Sequence, residues 1–274
     1  MKALLAACAF ILLIAGLAIL PATQNSVAEA APAAAEADQS GPVFEWSGSL
    51  ASGQTLEIKG VNGAIHAEPS ATGEVEVKAA KKSRRSPLSS VKIEVVEHAG
   101  GVTVCAVYPG RGNSCEPGDG GKLSSKNNDV KVHFTVAVPA GIHLTAKTVN
   151  GAVKATGLDS PVHAETVNGS IDVETTSYAR AETVNGKIRA AMGSNTFPAD
   201  LDFETVNGSV TVIMPEGVNA EVKASSVNGK VKTDFPLEVP RTWHGGKASG
   251  TLGSGGAMLK ASAVNGSVEI LRGE

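Results

Sequence analysis

The sequence is poor in aromatic residues, because Phe, Trp and Tyr together make up only 4% of its 274 residues. Aromatic side chains contribute large buried areas to thick hydrophobic cores, so a bulky globular core is not expected. Glycine is abundant instead, with 31 residues, and glycine is one of the residues that dominate turns. This composition is typical of a thin β-structure with many turns.

Cysteine is also scarce, and the three cysteines are Cys8, Cys105 and Cys115. Cys8 falls in an apolar leader, which leaves Cys105 and Cys115 as one pair. Because exported proteins fold in an oxidising compartment, we predict a disulfide that closes residues 105–115. No other cysteine and no nearby histidine could complete a metal site there, and nothing in the sequence predicts a cofactor.

The sequence lacks an excess of positive charge, since 24 Lys and Arg residues stand against 27 Asp and Glu residues. A nucleic-acid partner is therefore not expected. One basic run before Pro87 predicts a loop that contacts an anionic lipid, lipopolysaccharide or cell-wall polymer. The alternative is a solvated connector. The candidate contact residues are Lys81, Lys82, Arg84 and Arg85.

The first residues have the pattern of an export signal. Lys2 gives a positive start, residues 3–20 are apolar, and Ala28-Glu29-Ala30 is a small-x-small cleavage site. We expect a signal peptide over residues 1–30 and a disordered Ala/Pro-rich spacer over residues 31–43. The protein would then be periplasmic, secreted or at the cell surface, with no transmembrane segment after cleavage.

The most informative feature present is the triplet Val-Asn-Gly, which occurs seven times. Its asparagines are Asn62, Asn150, Asn168, Asn185, Asn207, Asn228 and Asn265. Since Asn and Gly both tolerate positive φ, each copy predicts a tight bend. Repetition of the bend predicts one supersecondary unit stacked on itself.

Each triplet joins two runs of alternating hydrophobicity. In residues 162–173, Val162, Ala164 and Thr166 share one face before the bend, and Ile171 and Val173 share it afterwards. This period of two predicts strands with one buried face. No convincing helical period occurs after the leader, so the fold class is all-β. Frequent alanine at inward positions predicts two sheets that lie close together.

Two all-β architectures fit these runs. In one, each Asn-Gly closes a hairpin of an antiparallel meander or sandwich. In the other, each Val-Asn-Gly is a corner of a single-stranded parallel β-solenoid, a β-helix-like stack of short strands. Recurrence of the valine favours stacked corners, because each coil is then the template for the next. The corner asparagines would form a ladder of amide hydrogen bonds.

The expected organisation is an amino-terminal β section over residues 44–140, which includes the disulfide loop, and solenoid repeats over residues 141–271. The last strand, 268–271, would end the stack and present an unpaired edge. We expect the glycine-rich residues 245–257 to cover this edge, with Trp243 and Met258 packing over it. The alternative is that the edge pairs with another chain.

The sequence offers little chemistry. None of the six histidines lies in a metal-ligand pattern. Under the stacked interpretation Glu165, Glu182 and Glu204 form a column, which could bind a cation or line a sugar-cleaving groove. We favour a solvated face on which Lys187 and Arg189 offset the carboxylates.

Several segments resemble the DUF4097 family of adhesin-like β-repeat proteins. They are the first repeat LEIKGVNGAI (56–65), Val138-Pro139, the serial Val-Asn-Gly coils, DFPL (234–237) and the closing AVNGSVEI (263–270). The resemblance spans about residues 44–271. It implies an extracytoplasmic, mostly parallel β-solenoid-like domain, with some relatives linked to envelope stress responses. The family supplies no established catalytic residues.

The function expected from the sequence is a non-catalytic, exported cell-envelope protein that acts as an adhesin-like binding module or as a structural module. Its partner would be an envelope component, either polysaccharide, anionic lipid or protein. One alternative is an envelope-stress regulatory module that binds an anionic component. The other is a polysaccharide-active enzyme built on a β-helix.

Overall fold

A computed structural model describes residues 39–240 and 245–273. The expected signal peptide, most of the expected spacer and Trp243 lie outside these residues. The described chain is all-β, as the alternation predicts, and its one helical element is a short 3₁₀ helix, Leu88–Ser90. No helix within the described ranges is long and apolar enough to cross a membrane.

The strands of the first half are β1 (Gln39–Ser40), β2 (Phe44–Gly48), β3 (Thr55–Lys59), β4 (Ile65–Pro69), β5 (Val75–Ser83), β6 (Lys92–His98), β7 (Gly101–Val107), β8 (Lys131–Val138), β9 (His143–Lys147) and β10 (Val153–Leu158). Those of the second half are β11 (Val162–Asn168), β12 (Ile171–Thr175), β13 (Ala179–Asn185), β14 (Ile188–Met192), β15 (Leu201–Asn207), β16 (Val210–Met214), β17 (Ala220–Ser226), β18 (Val231–Thr233), β19 (Gly246–Leu252), β20 (Met258–Asn265) and β21 (Val268–Arg272).

These strands form two sheets. The first sheet has the order β1-β5-β8-β4-β10-β12-β14-β16-β21-β18, and β2 also pairs with β5. The second has the order β19-β17-β20-β15-β13-β11-β9-β3-β7-β6. Neighbours in the middle of both sheets are parallel, as between β11 and β13 or β12 and β14. Antiparallel pairs occur towards the ends, at β5–β8, β6–β7 and β17–β19.

The two strands that flank a triplet lie in opposite sheets, so the hairpin interpretation is wrong. Val162 of β11 pairs with Ala179 of β13, and Ile171 of β12 pairs with Ile188 of β14. Each Val-Asn-Gly therefore turns the chain from one sheet into the other. The result is a solenoid-like stack in which like residues of successive coils lie side by side.

The core lies between the sheets and is built from the inward positions of the alternating runs. Its alanines are almost fully buried: Ala146, Ala155, Ala164, Ala181, Ala190, Ala224 and Ala261. Phe134, Phe203 and several Ile and Leu side chains fill the wider parts. Small side chains at so many inward positions let the two sheets pack closely, which explains how the chain folds with few aromatic residues.

The corner glycines are required for a reason that the sequence did not reveal. Asn127 is the only non-glycine residue in the described ranges with positive φ, so no corner asparagine adopts it. Among the corner glycines only Gly63 and Gly266 have positive φ. A Cβ on Gly186 would instead lie 1.9 Å from the carbonyl oxygen of Gly169. Close stacking of the corners, more than their φ angle, excludes a side chain.

The same approach recurs along the whole stack. A Cβ would lie 1.8–2.1 Å from a neighbouring glycine carbonyl oxygen at Gly151, Gly169, Gly186, Gly208, Gly229 and Gly266. Where a threonine precedes the triplet, its hydroxyl donates to this oxygen, as Thr183 Oγ1 does to Gly169 O at 3.0 Å. Equivalent bonds are made by Thr148, Thr166, Thr205 and Ser226. In the recurring Thr-Val-Asn-Gly, the threonine hydroxyl and the glycine backbone thus both contact the neighbouring coil.

The corner asparagines form a continuous ladder of side-chain amides. From the second asparagine onwards, each Nδ2 donates to the Oδ1 of the preceding one at 2.8–2.9 Å, in the spatial order Asn62, Asn150, Asn168, Asn185, Asn207, Asn265 and Asn228. Every bond runs in the same direction. The ladder therefore has polarity, and the last amide, Asn228, makes one ladder bond instead of two.

The prediction that the last strand ends the stack is wrong. Strand β21 lies between β16 and β18, and β20 lies between β15 and β17. The final coil is inserted between two earlier ones, so its backbone is paired on both sides. The glycine-rich segment does not cover it but forms edge strand β19, antiparallel to β17. Glu238 pairs with Ser249 on the outer side of β19, through N···O distances of 2.9 and 3.0 Å.

Gly186→Ala should lower the free energy of unfolding by about 3 kcal/mol, because the new methyl group meets rigid backbone of the neighbouring coil. Gly217→Ala is the matched control, since no heavy atom lies within 4 Å of its Cβ position. Urea denaturation of both variants measures the difference. Equal stability of the two variants would show that the corners do not constrain the stack.

Asn185→Ala should cost about 1–2 kcal/mol, because it removes two amide hydrogen bonds at once. Asn228→Ala, at the end of the ladder, loses one bond and should cost about half as much. The same denaturation measurement compares them. If the terminal substitution costs as much as the interior one, the ladder does not stabilise the stack as a chain of separate bonds.

Candidate functional site

The outer face of the second sheet carries one row of charged side chains. In-register pairing aligns Lys59, Lys147, Glu165, Glu182 and Glu204, one from each successive strand. We call these five residues the charged row. Adjacent strands lie about 4.8 Å apart, so the expected column of three glutamates exists, with two lysines before it.

Most of the carboxylates of the charged row have basic partners. Glu165 Oε1 lies 3.0 Å from Lys147 Nζ and 3.0 Å from His163 Nε2. Glu204, which is only 9% exposed, bonds to Lys260. The row therefore has the ion pairs that we expected, but Glu204 is buried and not solvated, and the partners differ from those expected.

The expected partners lie elsewhere because the corner separates them from the row. Arg189 belongs to β14 in the first sheet, where its Nη1 lies 3.2 Å from Asp172 Oδ1. Lys187 immediately precedes that strand. Residues that follow a Val-Asn-Gly corner cannot reach residues that precede it across the two-sheet stack.

The row pushes the pKa values of two adjacent glutamates in opposite directions. Burial alone would raise the pKa of Glu165, but the hydrogen bond from His163 and the charge of Lys147 lower it to about 2. Partial removal from solvent, followed by the charges of Glu165 and Glu204, raises the pKa of Glu182. Glu182 is thus the least favourable charge of the row. In the described part of the chain, no group of His, Cys, Asp and Glu is arranged to hold a metal ion.

A disulfide-tethered loop, residues 108–129, lies over one end of the charged row. Cys105 at the end of β7 bonds to Cys115, with their Cα atoms 5.7 Å apart. Lys59, only 7% exposed, donates its ammonium to the carbonyls of Glu116, Gly118 and Gly120. Backbone carbonyls satisfy this buried charge, and the loop is held against the sheet.

Glu57 completes the attachment of the loop. Its Oε2 accepts the Gly118 N–H at 2.9 Å and the Thr103 hydroxyl at 2.9 Å. Lys59 Nζ lies 3.6 Å from Glu57 Oε1. Sequence reasoning missed this pair, although two opposite charges at alternating positions of the run LEIK were a usable signal.

A cavity of about 350 Å³ lies between this loop and the row. Lys147 bridges its two sides, with Nζ 3.0 Å from Glu165 and 3.0 Å from Asp119 of the loop. Thr148, Val149, Thr166 and Val167 of two adjacent corners also line it. The cavity therefore combines exchangeable ion pairs, hydroxyls and methyl groups at an open surface.

The expected basic loop is partly a strand, because β5 continues to Ser83 and contains both Lys81 and Lys82. Lys81 Nζ donates to the carbonyl of Val91 at 2.5 Å, and its burial lowers its pKa. Lys81 is therefore bonded to the backbone, and its ammonium group does not lie with Lys82, Arg84 and Arg85 at one surface. Arg84 and Arg85 follow in a turn whose backbone N–H groups bind the Asp129 carboxylate at 3.1 and 3.0 Å.

The family resemblance is confirmed by comparison with known proteins. A family model described as Toastrack DUF4097 matches residues 46–271. A solved "putative cell adhesion protein" from Clostridium sporogenes is similar over 85% of this chain and 100% of its own, with 13% identity and a TM-score of 0.44. A "putative adhesin" from Bacteroides fragilis covers 84% of this chain and 97% of its own, with 11% identity and a TM-score of 0.35. Such distant likenesses support no functional conclusion, and no curated protein matches the chain.

Glu182→Gln should stabilise the protein by about 0.2–1 kcal/mol at neutral pH, the usual effect of removing opposed like charges on a sheet. A pKa raised in the folded state means that the carboxylate becomes unfavourable as the pH rises through it. The gain should therefore vanish below pH 4.5, the ordinary pKa of this group. Denaturation at both pH values measures it, with exposed Glu174→Gln on the first sheet as control. A gain that persists at low pH would exclude charge repulsion as its cause.

Proposed function

Since this chain belongs to the Toastrack DUF4097 family, we propose that it is an exported, non-catalytic and adhesin-like module that binds polysaccharide in the cell envelope. The charged row and the cavity beside the disulfide-tethered loop form the binding face. The coils behind them act as a single-chain β-solenoid that holds this face rigid.

The observation that carries this proposal is the Lys147 bridge between Glu165 and Asp119 at the mouth of the cavity. Lys147 and Glu165 are partly buried, whereas Asp119 is almost fully exposed. An ion pair with an exposed partner contributes little stability, so a ligand that replaces the hydrogen bond between Asp119 and Lys147 displaces Asp119 at small cost. Sugar hydroxyls can both donate and accept, which matches a lysine placed between two carboxylates.

The geometry of the row also suits an extended ligand. Polar groups recur at the strand spacing of about 4.8 Å, and the neighbouring column adds His163, Arg180, Asp202 and Lys260. A polymer that repeats its hydroxyls can meet such a row at several points, and several weak contacts then act together. A rigid face avoids the entropy cost of ordering loops on binding.

The enzyme alternative has less support. Glycoside hydrolysis uses two carboxyl groups that flank the scissile bond, one of them a proton donor. Glu182, with its raised pKa, and Glu165, with its lowered pKa, stand side by side on one open sheet. Glu165 is held by Lys147 and His163. Its neighbour Glu182 lies beside it on the next strand and not opposite it across a groove.

The proposed organisation is a signal peptide over residues 1–30, a spacer over residues 31–43, and repeat sections over residues 44–140 and 141–271. The Cys105–Cys115 disulfide supports export, because such bonds persist in oxidising compartments. The corner asparagines support the face structurally and are not themselves proposed as ligand contacts.

The test is retention of the purified protein on immobilised envelope polysaccharides. Lys147→Gln combined with Glu165→Gln keeps the net charge and should lower retention about tenfold, because it removes the charged partners of the ligand hydroxyls. The matched control is Arg189→Gln with Asp172→Asn, which removes an exposed ion pair from adjacent strands of the other sheet.

Equal retention of the two double variants, or no retention of the wild-type protein on any polysaccharide, would contradict the proposed binding face. The same samples are assayed for new reducing ends. Release of sugars by the wild-type protein, and its loss in Glu182→Gln, would favour the enzyme alternative.

A further inference from the structure

A second charged concavity lies on the first sheet, at the end of β5 and the start of β8. It has a volume of about 400 Å³ and is lined by Lys82, Arg84, Arg85, Asp129, Lys131 and His133, together with Ser83. We call it the basic basin. Sequence reasoning identified three of its basic residues but missed Lys131 and His133, which antiparallel pairing brings beside them.

The register of β5 and β8 places two like charges directly opposite each other. Lys82 pairs with Lys131, and Ala80 pairs with His133. Because side chains alternate along a strand, both lysines and the histidine lie on the same face. Opposed like charges are unfavourable in a sheet, and an anion between the two ammonium groups would remove the repulsion.

The acid of the basin contributes one negative charge against the two lysines and the two arginines, but its carboxylate oxygens are hydrogen-bonded to the backbone. Asp129 accepts the backbone N–H groups of Arg84, Arg85 and Ser86, the last at 2.8 Å. These bonds, above all those from Ser86, lower the pKa of Asp129 and keep it charged. Asp129 thereby shapes the turn beside the lysines. Arg84 and Arg85 have further interactions of their own, so we place the site at Lys82, Lys131 and His133.

His133 adds a hydrogen-bond donor to the two cations. Its Nδ1 lies 3.3 Å from the backbone N of Ala64 and accepts that N–H. In the neutral ring the proton therefore resides on Nε2, which is a donor. Burial, followed by the charges of Lys82 and Lys131, lowers the pKa of His133. The side chain is consequently a neutral donor at neutral pH.

Building on the binding role proposed above, we propose that the basic basin is a second binding site, which takes a phosphate group between Lys82 and Lys131 with His133 as donor. Two compact ammonium groups and one N–H suit the several oxygens of a phosphate. The group would belong either to a lipid headgroup or to a soluble phosphate compound.

Inorganic phosphate, added to the purified wild-type protein, is the first probe. Proton NMR follows the imidazole signal of His133, which is identified by its loss in His133→Gln. Phosphate should shift this signal and raise the pKa of His133, because a bound anion offsets the charges of the two lysines. Signals of His66 and His143, which lie outside the basin, serve as internal controls. An unchanged His133 titration in the wild-type protein would overturn the inference, because the His133→Gln variant serves only to assign the signal.

Phosphatidylcholine vesicles that contain phosphatidic acid are the second probe, with pure phosphatidylcholine vesicles for comparison.

Lys82→Gln with Lys131→Gln should weaken phosphate binding at least about tenfold through loss of two charge-assisted contacts. Lys154→Gln with Lys232→Gln removes the same charge from the same sheet outside the basin and should leave binding unchanged. Thermal melts establish that both variants are folded.

The inorganic phosphate and vesicle measurements together distinguish the two sources of phosphate. Retention on the phosphatidic acid vesicles that depends on Lys82 and Lys131 indicates a lipid headgroup, and a response to inorganic phosphate alone indicates a soluble compound. Equal loss in the two lysine double variants would mean that net charge alone attracts phosphate, which contradicts a built site. Because these variants leave Lys147 and Glu165 intact, polysaccharide retention and phosphate binding can fail independently.

Discussion

The architecture depends on the close approach of each corner to the next. At Gly169, Gly186 and Gly208 the carbonyl oxygen of the neighbouring coil occupies the space in which any other residue would carry its Cβ. Thr166, Thr183 and Thr205 donate to those same carbonyls, and the asparagine amides bond to one another just outside them. Sterics, a hydroxyl and an amide thus specify the same register, so a slip between coils would lose all three at once.

The fold class and the stacking of the triplets could be predicted because both depend on local patterns. Alternation of inward residues such as Val162 and Ala164 needs no knowledge of distant partners, and recurrence of Val-Asn-Gly points to coils that template one another. The order of the coils could not be predicted. Residues 258–272 resemble the other coils. Nothing in their own pattern indicates that they form a coil between the β15–β16 coil and the β17–β18 coil instead of ending the stack.

The surfaces were harder to predict than the fold for the same reason. Alignment of Glu165, Glu182 and Glu204 follows from the repeat, but the lysines that pair with Glu165 and Glu204 come from coils that lack the Glu, namely Lys147 and Lys260. The basic basin arises where the repeat gives way to an antiparallel pair, so Lys82 and Lys131, far apart in sequence, meet by a register that the triplets do not set. Departures from the repeat therefore carry the chemistry that distinguishes one coil from another.

The polarity of the amide ladder makes the two ends of the stack inequivalent. At the Asn62 end the buried Tyr108 hydroxyl donates to the carbonyl of Val130 at 2.7 Å and, less closely, to that of Asn62 at 3.3 Å. The disulfide-tethered loop is bonded to Glu57 and Lys59 of β3. Burial, only partly offset by the bonds to Asn62, raises the pKa of Tyr108 to about 12, so it remains a neutral donor.

At the other end Asn228 retains an Oδ1 that receives no ladder bond within the described chain, and Val227 is 59% exposed. The disulfide, Tyr108 and the buried Lys59 all lie towards the Asn62 end of the ladder, where the loop also borders the cavity of the proposed binding face. Stabilising that end and shaping a site on it are therefore served by the same loop.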